Sequence, residues 1–149
     1  MKNFEKIPTV FTVLFLFVTG FVFAQDKAIS YNQLPQSAKT FLGSNFKGAK
    51  PSYIIEDREI YGIDEYKVQL SNGMKVEFDS KGNWKKVDGH NQKIPYVFIP
   101  TSIKNYSTKS FPNTFIKKIE KKRWSYEIEL SNGIDLEFDR KGNFTKIDD

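Results

Sequence analysis

Hydrophobic and polar positions alternate with period two over two long stretches of the chain, each preceded by a short stretch of helical spacing. In the first, Tyr66, Val68, Leu70, Met74, Val76 and Phe78 fall on one side of an extended backbone, and Lys67, Gln69, Lys75 and Glu77 on the other. In the second, Tyr126, Ile128, Leu130, Ile134, Leu136 and Phe138 alternate with Glu127, Glu129, Asp135 and Glu137. That is the pattern of strands with one buried face. Ahead of the first stretch, Pro35 suits an opening helical turn, and Ala38, Phe41 and Leu42 share one helical face. Gly43 and Gly48 weaken continuation, so the helix is predicted to be short. Ile103, Tyr106 and Ser107 make the equivalent stripe ahead of the second.

The two stretches are copies. Residues 66–79 align without gaps on 126–139, and the match continues from Lys81-Gly82-Asn83-Trp84 onto Lys141-Gly142-Asn143-Phe144 and from Lys86-Val87-Asp88 onto Lys146-Ile147-Asp148, at an offset of 60. Upstream the offset is 65, pairing Leu34-Pro35 with Ile99-Pro100, Ser37 with Ser102 and Phe41 with Tyr106. The second copy is therefore shorter between helix and hairpin, and the deletion falls near the polar segment Asp57–Gly62. A fixed-offset match of this kind marks a repeated supersecondary unit. The predicted organisation is an N-terminal segment 25–33, a first unit 34–89, a linker 90–98 and a second unit 99–149.

Turn chemistry fixes part of the register, because directly opposed residues share a face. A two-residue Asn72-Gly73 loop would set Leu70 against Lys75 and mix the faces. A three-residue Ser71-Asn72-Gly73 loop, with Gly73 in the left-handed conformation, sets Leu70 against Met74 and Val68 against Val76. At the next turn, a Lys81-Gly82 loop would set Val76 against Val87, Glu77 against Lys86 and Lys75 against Asp88. It would leave Trp84 and Phe144 on the outer side; a longer loop would tuck both rings into the core.

The first residues read differently. A short, net-positive start, Met1 to Lys6, precedes an almost wholly apolar run, Ile7–Phe23, and Val22-Phe23-Ala24 supplies small residues where a signal peptidase reads them. This is the pattern of an export signal, residues 1–24, cleaved after Ala24. A retained membrane anchor is the alternative, at the short end of what spans a bilayer; polar sequence without a basic cluster follows at once, which favours cleavage and no membrane span thereafter. The expected location is periplasmic or secreted. The chain has no cysteine, so disulfides and thiolate sites are excluded and stability rests on packing. With 39% hydrophobic residues and a formal charge of +5, the chain is apolar enough to fold.

The inventory gives no support for catalysis. His90 is the sole histidine and lies in the linker; no serine sits in a nucleophile elbow, and neither a P-loop nor a glycine-rich dinucleotide motif is present. No cofactor is expected. One acidic group stands out: the preferred register opposes Glu129 to Asp135 and Glu127 to Glu137 on the outer face, mildly destabilising like-charge pairs. It reads as a docking surface for a basic partner or a weak Ca²⁺ site, or else as acids neutralised by Lys117, Lys118 and Lys146 on adjacent strands. The basic run Lys117–Arg123 reads as a solvated hairpin turn rather than a polyanion site, and export makes nucleic acid an improbable partner.

The export signal, the two Leu-Pro or Ile-Pro helices, the Asn-Gly hairpins and the Asp-x-Lys-Gly-Asn-aromatic turns together resemble the PepSY-like family, which is itself described as similar to the β-lactamase inhibitor protein. The resemblance covers about residues 34–149. It implies an α+β fold of two tandem units, each a helix on a four-stranded antiparallel β-meander, forming one β-lactamase-inhibitor-like domain. It implies an exported binding or inhibitory module rather than an enzyme. The expected function is capture of an envelope or extracellular protein or peptide by the outer sheet face, through Trp84, Phe144, Glu127, Glu129, Asp135 and Glu137. A cation- or small-ligand-responsive protein using the same four acids is the alternative.

Overall fold

The computed structural model describes residues 26–148. The expected signal segment 1–24 and its cleavage site lie outside the described residues. Within them the chain runs β1 (Lys27–Ala28), a 3-10 turn (Tyr31–Gln33), α1 (Gln36–Asn45), β2 (Pro51–Glu59), β3 (Gly62–Leu70), β4 (Lys75–Asp79) and β5 (Trp84–Asp88). After a loop follow α2 (Thr101–Ser110), β6 (Ile116–Lys121), β7 (Ser125–Leu130), β8 (Asp135–Asp139) and β9 (Phe144–Asp148). The strands form one antiparallel sheet in the order β1 to β9, so the fold is α+β. The expectation of eight strands needs one correction. The described sheet has nine, because the N-terminal segment adds β1 along β2, with Lys27 opposite Glu56 and Ala28 opposite Ile55.

Alternation explains where the core sits. One row of side chains crosses the sheet, with Ile54, Val68, Val76, Val87, Ile119, Ile128, Leu136 and Ile147 opposed in successive pairings. The first seven are buried. Each such aliphatic side chain taken out of water contributes about 1.5–3 kcal/mol, so this row is a main source of stability. Both helices lie on the same side as the row. Helix α1 buries Ala38 and Leu42 there; α2 buries Ile103 and Ser107, whose hydroxyl donates to the Ile103 carbonyl at 2.8 Å.

The hairpin registers follow the turn chemistry. Val68 lies opposite Val76, and the Leu70 amide donates to the Met74 carbonyl at 2.8 Å, the three-residue loop geometry. Lys75, Val76 and Glu77 lie opposite Asp88, Val87 and Lys86. In the next turn the Asp79 carboxylate accepts the Lys81 and Asn83 amides at 2.9 Å each, and Asp139 holds Lys141 and Asn143 in the same way. The Asn83 and Asn143 side-chain amides, donating to the same carboxylates at 3.0 and 2.9 Å, together with these backbone amides keep both carboxyls ionised below their ordinary range. For Asp79 burial works in the opposite direction and is outweighed; for Asp139 the Asn143 side chain is the largest cause.

These turns also seat the helices. Gly82 has φ +82°, and a Cβ there would stand 2.3 Å from Ser37 Oγ, 2.7 Å from Pro35 Cβ and 3.0 Å from the Ala38 amide nitrogen. The Ser37 hydroxyl donates to the Lys81 carbonyl at 2.6 Å, pinning the start of α1 to the β4–β5 turn. Residues 90–98 do more than join the halves. Ile94 is buried, the Tyr96 hydroxyl accepts the Ile116 amide at 2.8 Å, and the Phe98 ring lies 5.1 Å from Phe41 and 5.2 Å from Trp84. His90 sits in that loop with φ +55°, its amide donating to Asp88 Oδ1 at 2.7 Å.

Candidate functional site: the helix-free face of the sheet

With the helices on one side, the other side of the sheet is left to polar side chains, arranged by register into two rows. One runs Ile55, Lys67, Glu77, Lys86, Glu120, Glu127, Glu137, Lys146, and the other Tyr53, Gln69, Lys75, Asp88, Lys118, Glu129, Asp135. From β3 to β6 the charges alternate in sign across the strands, which is the favourable arrangement for opposed pairs. Toward β7 and β8 they become acidic, with Glu127 opposite Glu137 and Glu129 opposite Asp135.

The acids at that end are held by lysines. Glu129 lies 2.6 Å from Lys117 Nζ and 3.4 Å from Lys118 Nζ, Glu137 lies 3.4 Å from Lys146, and Glu127 is paired with Lys122. An irregularity in β6 between Ile116 and Lys118 brings two consecutive lysines to one carboxylate. The Lys117 pair is the main reason the Glu129 carboxyl titrates below its ordinary range. Burial disfavours the Lys118 ammonium, yet Glu129, Asp135 and Asp88 together hold its pKa above the ordinary lysine value. Neutralisation by Lys117, Lys118 and Lys146 is thus present in the structure. The basic run is corrected as well: Lys117 to Lys121 belong to β6, and the solvated turn begins only after it. Among the described residues, no group of three or more acidic, histidine or cysteine side chains is placed to hold a metal ion.

At the β2–β4 end the same face carries an open groove of about 310 Å³, lined by Tyr53, Ile55, Lys67, Gln69, Lys75 and Glu77. Tyr53 is 54% exposed. Beyond the groove lies a charge cluster: Lys67 Nζ bridges Asp57 at 2.8 Å and Glu65 at 3.0 Å, and Lys85 reaches Glu65 at 2.8 Å. The Asp57 hydrogen bond, then that of Glu65, raises the Lys67 pKa well above the ordinary lysine value. Asp57 titrates low chiefly because of Lys67, and Glu65 titrates low because Lys85 and Lys67 outweigh its burial.

Trp84 and Phe144 are not on this face. A one-residue irregularity follows Glu77–Lys86, so that Phe78 lies opposite Trp84 and Lys85 is the extra residue; Thr145 is its counterpart between Glu137–Lys146 and Phe138–Phe144. An inserted residue reverses which face the preceding side chain takes. The Trp84 ring packs 6.0 Å from Phe41, 5.2 Å from Phe98 and 6.5 Å from Tyr126. Phe144 stacks on Tyr106 at 4.5 Å with 10° between the rings. Both half-buried rings cement a helix to the sheet, and the outward placement is corrected.

Sequence reasoning missed the groove residues Tyr53 and Ile55, and also the exposed tips of two hairpins. The signal was available in Tyr53-Ile54-Ile55, where apolar residues occupy both faces of a strand that otherwise alternates. Strands β2 and β3 have 9 residues each, against 6 in β6 and β7, and are joined by the turn residues Ile60 and Tyr61, the latter 99% exposed. Trp124 occupies the β6–β7 turn, with the Arg123 guanidinium 5.1 Å from its ring.

Comparison with known proteins bears on this geometry. A family profile described as "Putative beta-lactamase-inhibitor-like, PepSY-like" matches residues 64–146. A "putative calcium-regulated periplasmic protein" of Bacteroides thetaiotaomicron superposes with a TM-score of 0.79 at 38% identity, over 83% of this chain and 97% of its own. A "putative periplasmic protein" of Bacteroides vulgatus superposes with a TM-score of 0.78 at 36% identity, over 84% and 98%. A "putative periplasmic protein of unknown function", also of Bacteroides vulgatus, superposes with a TM-score of 0.79 at 34% identity, over 84% and 100%. No curated protein matches the chain.

Proposed function

Because this chain belongs to the PepSY-like family, we propose that it is an exported, non-catalytic module that binds a protein or peptide through the helix-free sheet face. The observation that carries the reading is the groove beside the β2–β4 charge rows. Tyr53 and Ile55 supply an apolar floor, and Lys67, Lys75 and Glu77 supply charged walls. An apolar, aromatic centre with a polar rim is the anatomy of a protein-binding patch. We read the units 34–89 and 99–149 as copies forming one inhibitor-like domain, with residues 1–24 as a leader removed after Ala24. The periplasmic relatives support that location, and none of the described helices is long and apolar enough to cross a membrane.

The test is site-specific photocrosslinking in the envelope of the producing cell, with the probe at Tyr53 or Lys75 on the groove and at Lys109 on the helix side. A discrete adduct from the first two positions and none from Lys109 is the expected result. Equal adducts from both sides would sink the reading. A cation-responsive role is the second reading, favoured by the opposed pairs Glu127–Glu137 and Glu129–Asp135 and by the calcium-regulated name of one relative. Calcium would have to compete with the lysines that hold these acids, so binding would release Lys117 and Lys118 from Glu129. Calorimetric titration at millimolar Ca²⁺ decides it, and absence of heat eliminates it.

A further inference from the structure

The buried row across the sheet ends differently at its two edges. At the β2 edge the chain closes the row itself: Ala28 lies opposite Ile55, the Ile29 amide donates to the Ile54 carbonyl at 3.0 Å, and Ile29 packs against the core. At the middle, β5 is closed by β6, with Lys86 opposite Glu120, Val87 opposite Ile119 and Asp88 opposite Lys118. Strand β9 is the counterpart of β5 in the repeat, Lys146-Ile147-Asp148 against Lys86-Val87-Asp88, and holds the same register on its inner neighbour. Among the described residues, no strand pairs with its other edge. Val87 is 0% exposed and Ile147 is 48% exposed. The same apolar position is sealed in one place and open in the other.

Backbone direction agrees. Gly89 donates to the Lys117 carbonyl across the β5–β6 junction at 2.7 Å, and antiparallel pairing alternates by residue. The N–H and C=O of Val87 therefore face β6. In the second half the Leu130 amide donates to the Ile134 carbonyl at 2.9 Å, and the same alternation turns the N–H and C=O of Ile147 toward the open edge.

We propose that the β9 edge is a second docking site, which takes an extended peptide segment of basic–β-branched–acidic sequence, antiparallel, in the register β6 adopts on β5. The apolar residue of the segment lies opposite Ile147 and covers it; the acid lies opposite Lys146, as Glu120 lies opposite Lys86. Strand addition of this kind draws affinity from main-chain hydrogen bonds and selectivity from alternate side chains. This site is distinct from the groove, and either can exist without the other.

The test uses the chain's own β6 sequence in trans, a synthetic peptide of residues 115–122, with amide hydrogen exchange of the protein as the readout. The expected result is slowing of Ile147 amide exchange by about tenfold or more at saturating peptide. A peptide with Pro in place of Ile119 protects nothing. The protein variant Ile147→Pro remains folded, since the lost N–H faces away from β8, and no longer binds. Lys146→Glu weakens the native peptide and is rescued by a peptide carrying Glu120→Lys. Exchange at Ile147 that ignores the peptide overturns the proposal. So does protection that grows with protein concentration alone, which would make a second copy of the chain the occupant.

Discussion

Replacing Gly82, Gly142 and Gly133 one at a time by alanine tests whether the β-turns hold the helices in place. All three have φ between +82° and +88°, so each alanine incurs the same left-handed strain, about 1–2 kcal/mol. Gly133 has nothing within 4 Å of a built Cβ and measures that strain alone. At Gly82 the new methyl meets Ser37 Oγ at 2.3 Å, Pro35 Cβ at 2.7 Å and the Ala38 nitrogen at 3.0 Å. Proline and backbone cannot swing aside, so α1 must shift, at an overpacking cost of about 1–3 kcal/mol more. At Gly142 the nearest atom is Ser102 Oγ at 2.0 Å, with Ser102 Cβ next at 3.3 Å. Adding Ser102→Ala to Gly142→Ala therefore restores stability close to that of Gly133→Ala. Adding Ser37→Ala to Gly82→Ala does not, because Pro35 remains. Urea unfolding followed by circular dichroism gives the three differences directly. If Gly82→Ala is no less stable than Gly133→Ala, or if Ser37→Ala rescues it fully, α1 is not seated on that turn as described.

Trp84→Ala and Phe144→Ala should each lose about 2–4 kcal/mol, somewhat less than the roughly 3–5 kcal/mol of a fully buried ring because both rings are half-buried, and the loss appears as a lower urea midpoint rather than as altered binding alone. Lys67→Met tests the β2–β3 charge cluster. Asp57 and Glu65 titrate below their ordinary values of 3.8 and 4.5 because of it, so their contribution is present above that range and is lost as pH falls through their folded values. Lys67 titrates high, so its own contribution is full below 10.5 and is lost only as pH rises through its folded value. The stability gap between wild type and Lys67→Met should therefore close on acidification from pH 7 toward pH 3; a constant gap refutes the assignment. Lys117→Gln with Lys118→Gln removes both cations from Glu129 and should lower stability by about 0.2–1 kcal/mol per exposed like-charge pair, an effect that shrinks in high salt as screening takes over.

Much of the sheet was legible because alternation leaves little freedom. A one-residue slip would have put Lys75 or Glu77 inside, so the pairings Val68–Val76, Val76–Val87 and Glu77–Lys86 could be read from side-chain character alone. What escaped were the places where a single residue breaks the period. In Trp84-Lys85-Lys86-Val87 either lysine could be the extra residue, and only packing of the Trp84 ring against Phe41 and Phe98 decides. In β6 the irregularity at Lys117 spaces Ile116 and Ile119 by three, which looks unlike a strand, so the lysines read as a turn. Strand β1 is too short for any period to show. The opposed acids were legible from register, and so were Lys117, Lys118 and Lys146 as their neutralising partners; the Lys122–Glu127 pair was not, because its reach depends on where β6 ends. Tyr53 and Ile55 escaped because Tyr53-Ile54-Ile55 is a run of consecutive apolar residues, to which alternation assigns no face.

The strict sequential order of the sheet has a consequence for how the chain acquires its fold. Each strand from β2 to β5 and from β6 to β9 meets its partner across a short turn, so those pairings close small loops. Only the β1–β2 and β5–β6 pairings enclose a helix. Loop closure of this modest length favours fast folding for a sheet protein. A strand emerging from a narrow passage would find its partner already present or next to arrive, and few aggregation-prone edges would wait long for a distant segment. A chain that becomes available in an extended state from one end can thus assemble its sheet progressively.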